Sequence, residues 1–268
     1  MDMRDIKKKI TGLRKERRKI KRRPAGLAER YAHRGFHDKP EIPENSMAAF
    51  RRAVEHGFPS ELDVHMIADG SLVIFHDEDL MRETGTEGQI EDFTLSELRQ
   101  LRLEGTDEQI PTFDEVLELY EHTGLPLLIE LKVARGNYRE LTAAVCSRLD
   151  RYSGDFVIES FDPRALMVLR KIRPDIIRGQ LAQNFIKRRE GLPYYKAVML
   201  SYLMLDPLTR PDFIAYRFGD MKTPANRFAA LAGGRPQAVW TIRTPAQYRK
   251  AVKAGYVPIF ERFDPDDM

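Results

Sequence analysis

The chain has 268 residues, of which 42% are hydrophobic and 32% are charged, and its formal net charge is +3. This length and composition predict one large domain or two small ones and exclude disorder or a coiled coil for the whole chain. No apolar stretch approaches the roughly 18 residues of a membrane-spanning helix. A single cysteine, Cys146, excludes an internal disulfide framework, and the N-terminus has no apolar signal segment, so the sequence predicts a cytoplasmic protein.

Residues 1–23 form a basic N-terminal arm. They contain 12 lysines and arginines against three acidic residues, a net charge of +9, so the rest of the chain carries −6. Apolar residues spaced by three and four would give a helix of this arm one thin apolar stripe. That pattern is typical of a helix lying on an anionic membrane, and equally of a solvated helix packed on its own domain. Because the rest of the chain is acidic, we do not expect nucleic-acid binding.

Beyond the arm, short β-rich runs alternate with helical patterns. The predicted strands are residues 29–32, 58–65, 72–75, 127–133, 155–159, 176–181, 197–200, 212–216, 238–242 and 257–260. The predicted helices are residues 46–56, 96–101, 113–121, 138–151, 163–171, 224–232 and 245–254. Asn45 is the predicted N-cap of the first helix, Ser96 and Asp162 begin later helices, and Pro163 and Pro245 occupy first-turn positions.

This alternation indicates parallel strands joined by helical crossovers. So many strands in one chain favour an α/β protein with a closed (β/α)₈ TIM-type barrel over an open Rossmann-like sheet. Some of the ten runs must then be loop or hairpin. We therefore predict a single barrel domain over residues 24–268, preceded by the arm.

Ionisable side chains lie near the ends of several predicted strands. Glu61 and Asp63 are two residues apart and share one strand face, as do Glu130 and Lys132. A charge inside an otherwise apolar parallel strand is costly unless it is paired or bound to a metal. In a barrel, these faces would converge at the C-terminal mouth, where such enzymes have their active sites.

Three of these side chains predict a metal site. Glu61, Asp63 and Glu130 offer hard oxygen ligands, without a cysteine cluster or a zinc-type histidine pair. The set favours one divalent cation, Mg²⁺ or Ca²⁺, rather than zinc.

Four more side chains suit a phosphate ester. Arg34 and Lys132 would place fixed positive charge beside the metal, where it stabilises a phosphate. His33 and His76 can exchange protons near neutral pH. The evidence for the other candidates is weaker. Asp77 could be a metal ligand or a turn residue. The histidines interpreted as structural are His37, His56, His65 and His122.

An ordered set of motifs carries a family resemblance. The motifs are Ala32-His33-Arg34-Gly35, Pro43-Glu44-Asn45-Ser46, Ala49-Phe50, Glu61-Leu62-Asp63-Val64, Asp69-Gly70, His76-Asp77, Ile110-Pro111-Thr112 and Ile129-Glu130-Leu131-Lys132. In this order they resemble the glycerophosphodiester phosphodiesterase family over about a hundred residues. The resemblance implies a TIM-type barrel with a small insertion at about residues 79–120. It also implies metal ligation by the three carboxylates, acid–base catalysis by the two histidines, and phosphate contacts from Arg34 and Lys132.

The second half of the chain resembles the family less closely. Ser160-Phe161-Asp162 and Val239-Trp240-Thr241 are similar to later motifs whose aromatic residues line the substrate pocket. The resemblance implies substrate contacts for Phe161 and Trp240, although both also suit core packing. The family commonly has an asparagine soon after the Trp-Thr pair, whereas Ile242-Arg243 follows here. Its usual acidic ending, with a Thr-Asp pair after the last strand, is replaced by Ile259-Phe260-Glu261-Arg262-Phe263. These departures concern the alcohol specificity.

The predicted activity is metal-dependent hydrolysis of glycerophosphodiesters to sn-glycerol 3-phosphate and an alcohol. The attacking hydroxyl is that of water or the substrate's own glycerol 2-hydroxyl. One alternative is a lysophospholipase D-like enzyme, which would share the catalytic residues. Another is a non-catalytic phosphate- or nucleic-acid-binding protein, against which the presence of all seven polar site residues argues.

Overall fold

A computed structural model describes residues 24, 26–189, 191–224, 226 and 234–268. Eight parallel strands of this part of the chain form a closed barrel, and a ninth strand, β3, pairs antiparallel with β2 outside it. The ring closes because β1 pairs in parallel with both β2 and β9. The strands are β1 Tyr31–Ala32, β2 Ser60–Met66, β3 Leu72–Ile74, β4 Leu127–Leu131, β5 Phe156–Ser160, β6 Arg178–Ala182, β7 Phe213–Arg217, β8 Gln237–Ile242 and β9 Val257–Phe260.

Helices surround this barrel, which confirms the predicted TIM-type architecture. They are α1 Met47–Glu55, α2 Met81–Thr84, α3 Leu95–Leu98, α4 Phe113–Tyr120, α5 Tyr138–Leu149, α6 Pro163–Ile172, α7 Tyr194–Ser201, α8 Asp206–Thr209 and α9 Pro245–Lys253. Short 3₁₀ turns occur at Ile90–Asp92, Phe218–Asp220 and Pro265–Asp267. No helix in the described part of the chain combines the length and hydropathy needed to cross a bilayer.

Local sequence signals explain several helix starts. Asp162 accepts a hydrogen bond from the Arg164 N–H, and Pro163 follows it at the first helical position, as predicted. The predicted cap at Asn45 is wrong by one residue, because the Ser46 side chain accepts the bond from Ala49 N. Asn45 instead lies in a left-handed conformation, with φ of 55°.

One predicted strand is wrong. Residues 197–200 lie within helix α7, in which Ala197 and Ser201, four residues apart, are the buried positions. A short apolar run fits a buried strand and a helix equally well, so its period could not decide between them. The predicted helix at residues 224–232 lies mostly outside the described residues. The basic arm, residues 1–23, lies wholly outside them.

Strand alternation separates the two sides of the barrel wall. Leu62, Val64 and Ile129 belong to the core cluster packed beneath the surrounding helices. Leu128 and Phe213 belong to a second apolar cluster, built from the alternate strand positions. Because side chains alternate along a strand, the charged residues of β2 and β4 share the second cluster's side of the wall.

The segment between β3 and α4 has a small core of its own. Ile90, Leu98 and Ile110 pack with Val73 of the antiparallel strand. Helix α4 packs against α1 and β3. The segment thus lies beside β2, whose end carries the charged residues of the mouth.

Candidate active site

Three buried carboxylates meet at the mouth of the barrel. Glu61, Asp63 and Glu130 each offer one oxygen, and these atoms lie within 4.8 Å of one another. Asp63 is directly opposite Glu130 in the parallel register of β2 and β4. The structure therefore brings together the three residues predicted as metal ligands.

Ionisation of all three carboxylates is unfavourable, because they are buried close to one another. Burial, reinforced by the charge of Asp63, raises the pKa of Glu61 well above its ordinary range. Burial also raises the pKa of Glu130 to about 7, although the Lys132 ammonium opposes this. Burial alone would raise the pKa of Asp63, but the charges of Lys132, His76 and Arg34 lower it.

A divalent cation would relieve this crowding by its charge. Asp63 Oδ1 is buried and has no hydrogen-bond partner among the described residues, with Lys132 Nζ 3.5 Å away. An acceptor oxygen of this kind is available as a ligand, and three carboxylate oxygens are the donors that hard cations prefer. The residues therefore fit the predicted group.

Two cationic side chains flank the cluster. Lys132 Nζ lies 3.1 Å from Glu130 Oε1, and Arg34 Nε lies 3.4 Å from Asp63 Oδ2. The Arg34 backbone is left-handed, with φ of 55°, and its N–H donates to Glu61 Oε2 at 2.9 Å. Gly35 follows with φ of 78°, and a Cβ there would lie 2.8 Å from that of Ala49. Only glycine lets the loop approach α1 closely enough to place Arg34 here.

His33 lies between this cluster and the C-terminal end of β9. Its Nδ1 is 2.6 Å from Glu261 Oε2, and its Nε2 is 3.9 Å from Glu61 Oε2. Burial and the charge of Arg34 lower the pKa of His33 to about 4. The ring is therefore neutral at pH 7, and the carboxylate assigns its proton to Nδ1.

His76 has an equivalent partner. Its Nδ1 lies 2.6 Å from Asp77 Oδ1, and Arg82 Nε contacts the other oxygen of Asp77 at 2.5 Å. Burial and the charge of Lys132 lower the pKa of His76. Asp77, which the sequence offered as a metal ligand or a turn residue, lies outside the carboxylate cluster. Its carboxylate contacts His76 instead.

Five of the seven predicted polar residues and both predicted aromatic residues line one cavity of about 710 Å³. Glu61 and Asp63 are buried and are not among its lining residues. Phe161 and Trp240 are half-buried, with ring centroids 5.5 Å apart in an edge-to-face arrangement. Phe185 extends this wall, since its centroid lies 5.9 Å from that of Phe161. The two predicted aromatics thus line the cavity and also pack on the barrel interior. Its lining includes His33, Arg34, His76, Glu130, Lys132, Phe161, Phe185 and Trp240.

Several residues of the site were not predicted. Asn45 Nδ2 donates to Asp63 Oδ2 at 2.9 Å, and Glu44 Oε1 accepts from Arg34 at 2.5 Å. Both residues belong to a motif that the sequence analysis had singled out. Glu159, opposite Glu130 in the sheet, has its pKa raised well above the ordinary value by burial and by Glu130. Its position at a strand end was the available signal.

Glu261 and His37 were also overlooked. Glu261 lies immediately after β9, and its segment stood out only as a departure from the family pattern. His37, interpreted as structural, lines the same cavity, with its Nε2 3.7 Å from Glu261 Oε2. No local pattern connects residues so far apart in the chain.

The mouth of a (β/α)₈ barrel is where such enzymes have their active sites, and the fixed positive charges gathered here suit a phosphate ester. Comparison with known proteins identifies the family. The sequence pattern of the glycerophosphoryl diester phosphodiesterase family matches residues 33–261, and the chain belongs to this family.

Individual relatives agree with that assignment. A glycerophosphodiester phosphodiesterase of Caldanaerobacter subterraneus subsp. tengcongensis is 34% identical over 185 residues, which cover 66% of this chain and 74% of the relative. An Oleispira antarctica phosphodiesterase, solved with its product sn-glycerol-3-phosphate, is 26% identical with a TM-score of 0.73. That alignment covers 88% of this chain and 93% of the solved chain.

A human lysophospholipase D is 36% identical over 140 residues, covering 47% of this chain and 42% of the relative. The family assignment makes this protein a phosphoric diester hydrolase and confirms the prediction of an enzyme. It does not support the alternative of a non-catalytic phosphate- or nucleic-acid-binding protein.

Proposed function

We propose that this enzyme hydrolyses glycerophosphodiesters to sn-glycerol 3-phosphate and an alcohol, using one divalent cation and two histidines. The observation that carries the proposal is the meeting of three carboxylates, Arg34, Lys132 and two histidines at the mouth of the barrel. The product bound to the Oleispira antarctica relative supports the same substrate class.

Glu61, Asp63 and Glu130 would bind the cation, Mg²⁺ or Ca²⁺. The pKa values of Glu61 and Glu130, which burial raises, support this assignment. So does Asp63 Oδ1, which has no hydrogen-bond partner among the described residues. When bound, such a cation supplies Lewis-acid polarisation of the phosphoryl group. Asn45 supports the site by donating its amide N–H to Asp63, which orients that carboxylate.

Arg34 and Lys132 bind the phosphate in this proposal. Each already lies within 3.5 Å of a cluster carboxylate, so their charges are fixed at the place where negative charge develops. Glu44 orients the Arg34 guanidinium from the other side. Donors fixed in advance stabilise a phosphoryl transition state without reorganising during the reaction.

His33 and His76 exchange the protons. One ring accepts the proton of the attacking hydroxyl while the new P–O bond forms, and the other donates a proton to the departing alcohol oxygen. Glu261 and Asp77 each contact an Nδ1 atom, which leaves Nε2 of both rings for the substrate. The lowered pKa values keep a neutral ring, with a free lone pair on Nε2, available as the base. The ring that acts as the acid must carry a proton on Nε2 when it reacts.

Phe161 and Trp240 would contact the alcohol part of the substrate. With Phe185 they give the cavity an aromatic wall, and this favours a second candidate function, lysophospholipase D activity. The human lysophospholipase D relative supports that candidate. Both reactions would use the same polar residues and differ in the group that the aromatic wall accepts.

Product identification tests the proposal. The protein would be incubated with glycerophosphodiesters and lysophospholipids, with Mg²⁺ or Ca²⁺ and then with excess EDTA, and glycerol 3-phosphate, lysophosphatidate and free alcohol would be quantified. We expect glycerol 3-phosphate that depends on the cation. Full activity of the metal-stripped protein in EDTA would contradict the metal assignment, and lysophosphatidate as the main product would favour the second candidate.

We further propose a cytoplasmic enzyme whose basic arm, residues 1–23, contacts anionic membrane surfaces. The support is the arm's charge of +9 and the spacing of its apolar residues by three and four. Such contact would bring the barrel close to lipid-derived substrates.

A further inference from the structure

A second group of ligand-type side chains lies beside the carboxylate cluster. His33, His37 and Glu261 are all buried, and one ligand atom from each lies within 4.8 Å of the other two. All three residues line the cavity, so the space beside them is continuous with the substrate region. The group contains two imidazoles and one carboxylate, whereas the first cluster contains carboxylates alone.

His37 is the member whose presence is otherwise unexplained. Its side chain is only 2% exposed, and neither ring nitrogen has a hydrogen-bond partner among the described residues. Burying an imidazole without partners costs free energy, because both nitrogens lose their hydrogen bonds to water. The nearest carboxylate oxygen is Glu261 Oε2, 3.7 Å from its Nε2.

Glu261 turns one oxygen towards both imidazoles. Its Oε2 is 2.6 Å from His33 Nδ1, while its Oε1 is 2.6 Å from Arg243 Nε and 3.5 Å from Arg262 Nε. The two arginines therefore neutralise the far oxygen and leave Oε2 for a further partner. Arg34, next to His33, adds positive charge nearby, so a cation here must gain its affinity from direct ligand bonds.

We propose that His33, His37 and Glu261 bind a divalent transition-metal ion of the zinc type. Two ligand atoms that are each about 2.0–2.1 Å from a tetrahedral zinc lie roughly 3.3 Å apart. Glu261 Oε2 is 2.6 Å from His33 Nδ1 and 3.7 Å from His37 Nε2, and these distances lie on either side of that value. Two imidazoles and one carboxylate suit zinc better than Mg²⁺ or Ca²⁺. The open side towards the cavity leaves room for a fourth, water ligand.

Zinc at this site would prevent His33 from acting as the base of the reaction. The neutral His33 ring has one N–H, which now points from Nδ1 to Glu261. Metal binding at Nδ1 transfers that proton to Nε2, so Nε2 loses the lone pair with which it accepts a proton. Inhibition by zinc rests on the proposed function, because it requires His33 to be the ring that accepts the proton. Binding itself requires only the three ligands.

The test compares wild type with His37→Gln, and uses His122→Gln as a control that removes an exposed histidine elsewhere. Calorimetry would measure Zn²⁺ binding at saturating Mg²⁺, and the same samples would be assayed for glycerophosphodiester hydrolysis. We expect wild type and His122→Gln to bind zinc and to be inhibited by it. His37→Gln should keep its activity in Mg²⁺, bind zinc about tenfold more weakly or worse, and need correspondingly more zinc for inhibition.

Equal zinc affinity in wild type and His37→Gln would overturn the site. If His37→Gln does not fold, wild type would be titrated with Co²⁺ and its visible absorption measured. Absence of the band of a cobalt site with imidazole ligands would also overturn the proposal. Zinc binding that His37→Gln abolishes, without inhibition of wild type, would support the site. That outcome would contradict His33 as the base of the proposed reaction, so failure of the zinc site and failure of that role are distinguishable.

Discussion

Replacing Glu130 by glutamine tests whether the carboxylate cluster is a metal site. If it is, the ionised carboxylates should destabilise the folded protein when no cation is bound. Burial raises the pKa of Glu130 from 4.5 to about 7. A carboxyl with a higher pKa in the folded protein binds more protons there than in the unfolded chain. Without metal, the free energy of unfolding should therefore fall as pH rises from about 4.5 to 7.

The size of this effect follows from the pKa values. Each pKa unit corresponds to about 1.4 kcal/mol, so ionised Glu130 would lower the free energy of unfolding by about 3 kcal/mol at pH 8 and by under about 1 kcal/mol at pH 5. Glutamine has nearly the same shape and does not ionise. The metal-free variant should therefore be more stable than wild type at pH 8 by up to about 3 kcal/mol, or roughly 6–12 °C in Tm.

Thermal unfolding followed by circular dichroism in EDTA, at pH 5 and pH 8, measures this difference. Saturating Mg²⁺ should stabilise wild type more than the variant and so reduce or reverse the difference at pH 8. Glu118→Gln, which removes an exposed carboxylate on α4, is the matched control and should show neither effect. The reasoning would be refuted if metal-free Glu130→Gln were no more stable than wild type at pH 8, with the same pH dependence.

The remaining predictions concern activity and the arm. Glu61→Gln should reduce turnover by orders of magnitude and leave the far-ultraviolet circular dichroism spectrum unchanged; turnover close to wild type would exclude it as a ligand. His33→Ala and His76→Ala should each lower kcat by roughly 10²- to 10⁴-fold, and the double variant should lower it by less than the product of the two single losses. Strictly multiplicative losses would argue that one histidine is structural. Glu261→Gln should lower kcat by roughly 10- to 100-fold with little change in KM, and Glu261→Asp should lose less; a change confined to KM would contradict its orientation of His33. Deleting residues 1–23 should abolish salt-sensitive sedimentation with anionic vesicles and leave hydrolysis of a soluble glycerophosphodiester unchanged. A loss of stability, or of activity on the soluble substrate, would show instead that the arm packs on the barrel.

The sequence determined those features that depend on neighbours along the chain. Alternation along β2 and β4 put Glu61, Asp63 and Glu130 on one side of the barrel wall, and the structure brings them together. Asp162 and Pro163 predicted the start of α6, because capping satisfies backbone groups within one turn. The family resemblance rested on such short motifs as well, and the comparisons confirm it.

Only the tertiary structure decided which distant residues meet. His33 and Glu261 are 228 positions apart and come into hydrogen-bond distance because closure of the barrel places β1 beside β9. The tertiary structure also makes Asn45 a hydrogen-bond donor to Asp63, where a local pattern had predicted a helix cap. Residues 197–200 became helical, since a short apolar run has no period of its own and its packing environment selects the conformation. Local periodicity therefore determines which side chains face inward, and ring closure determines which of them become partners.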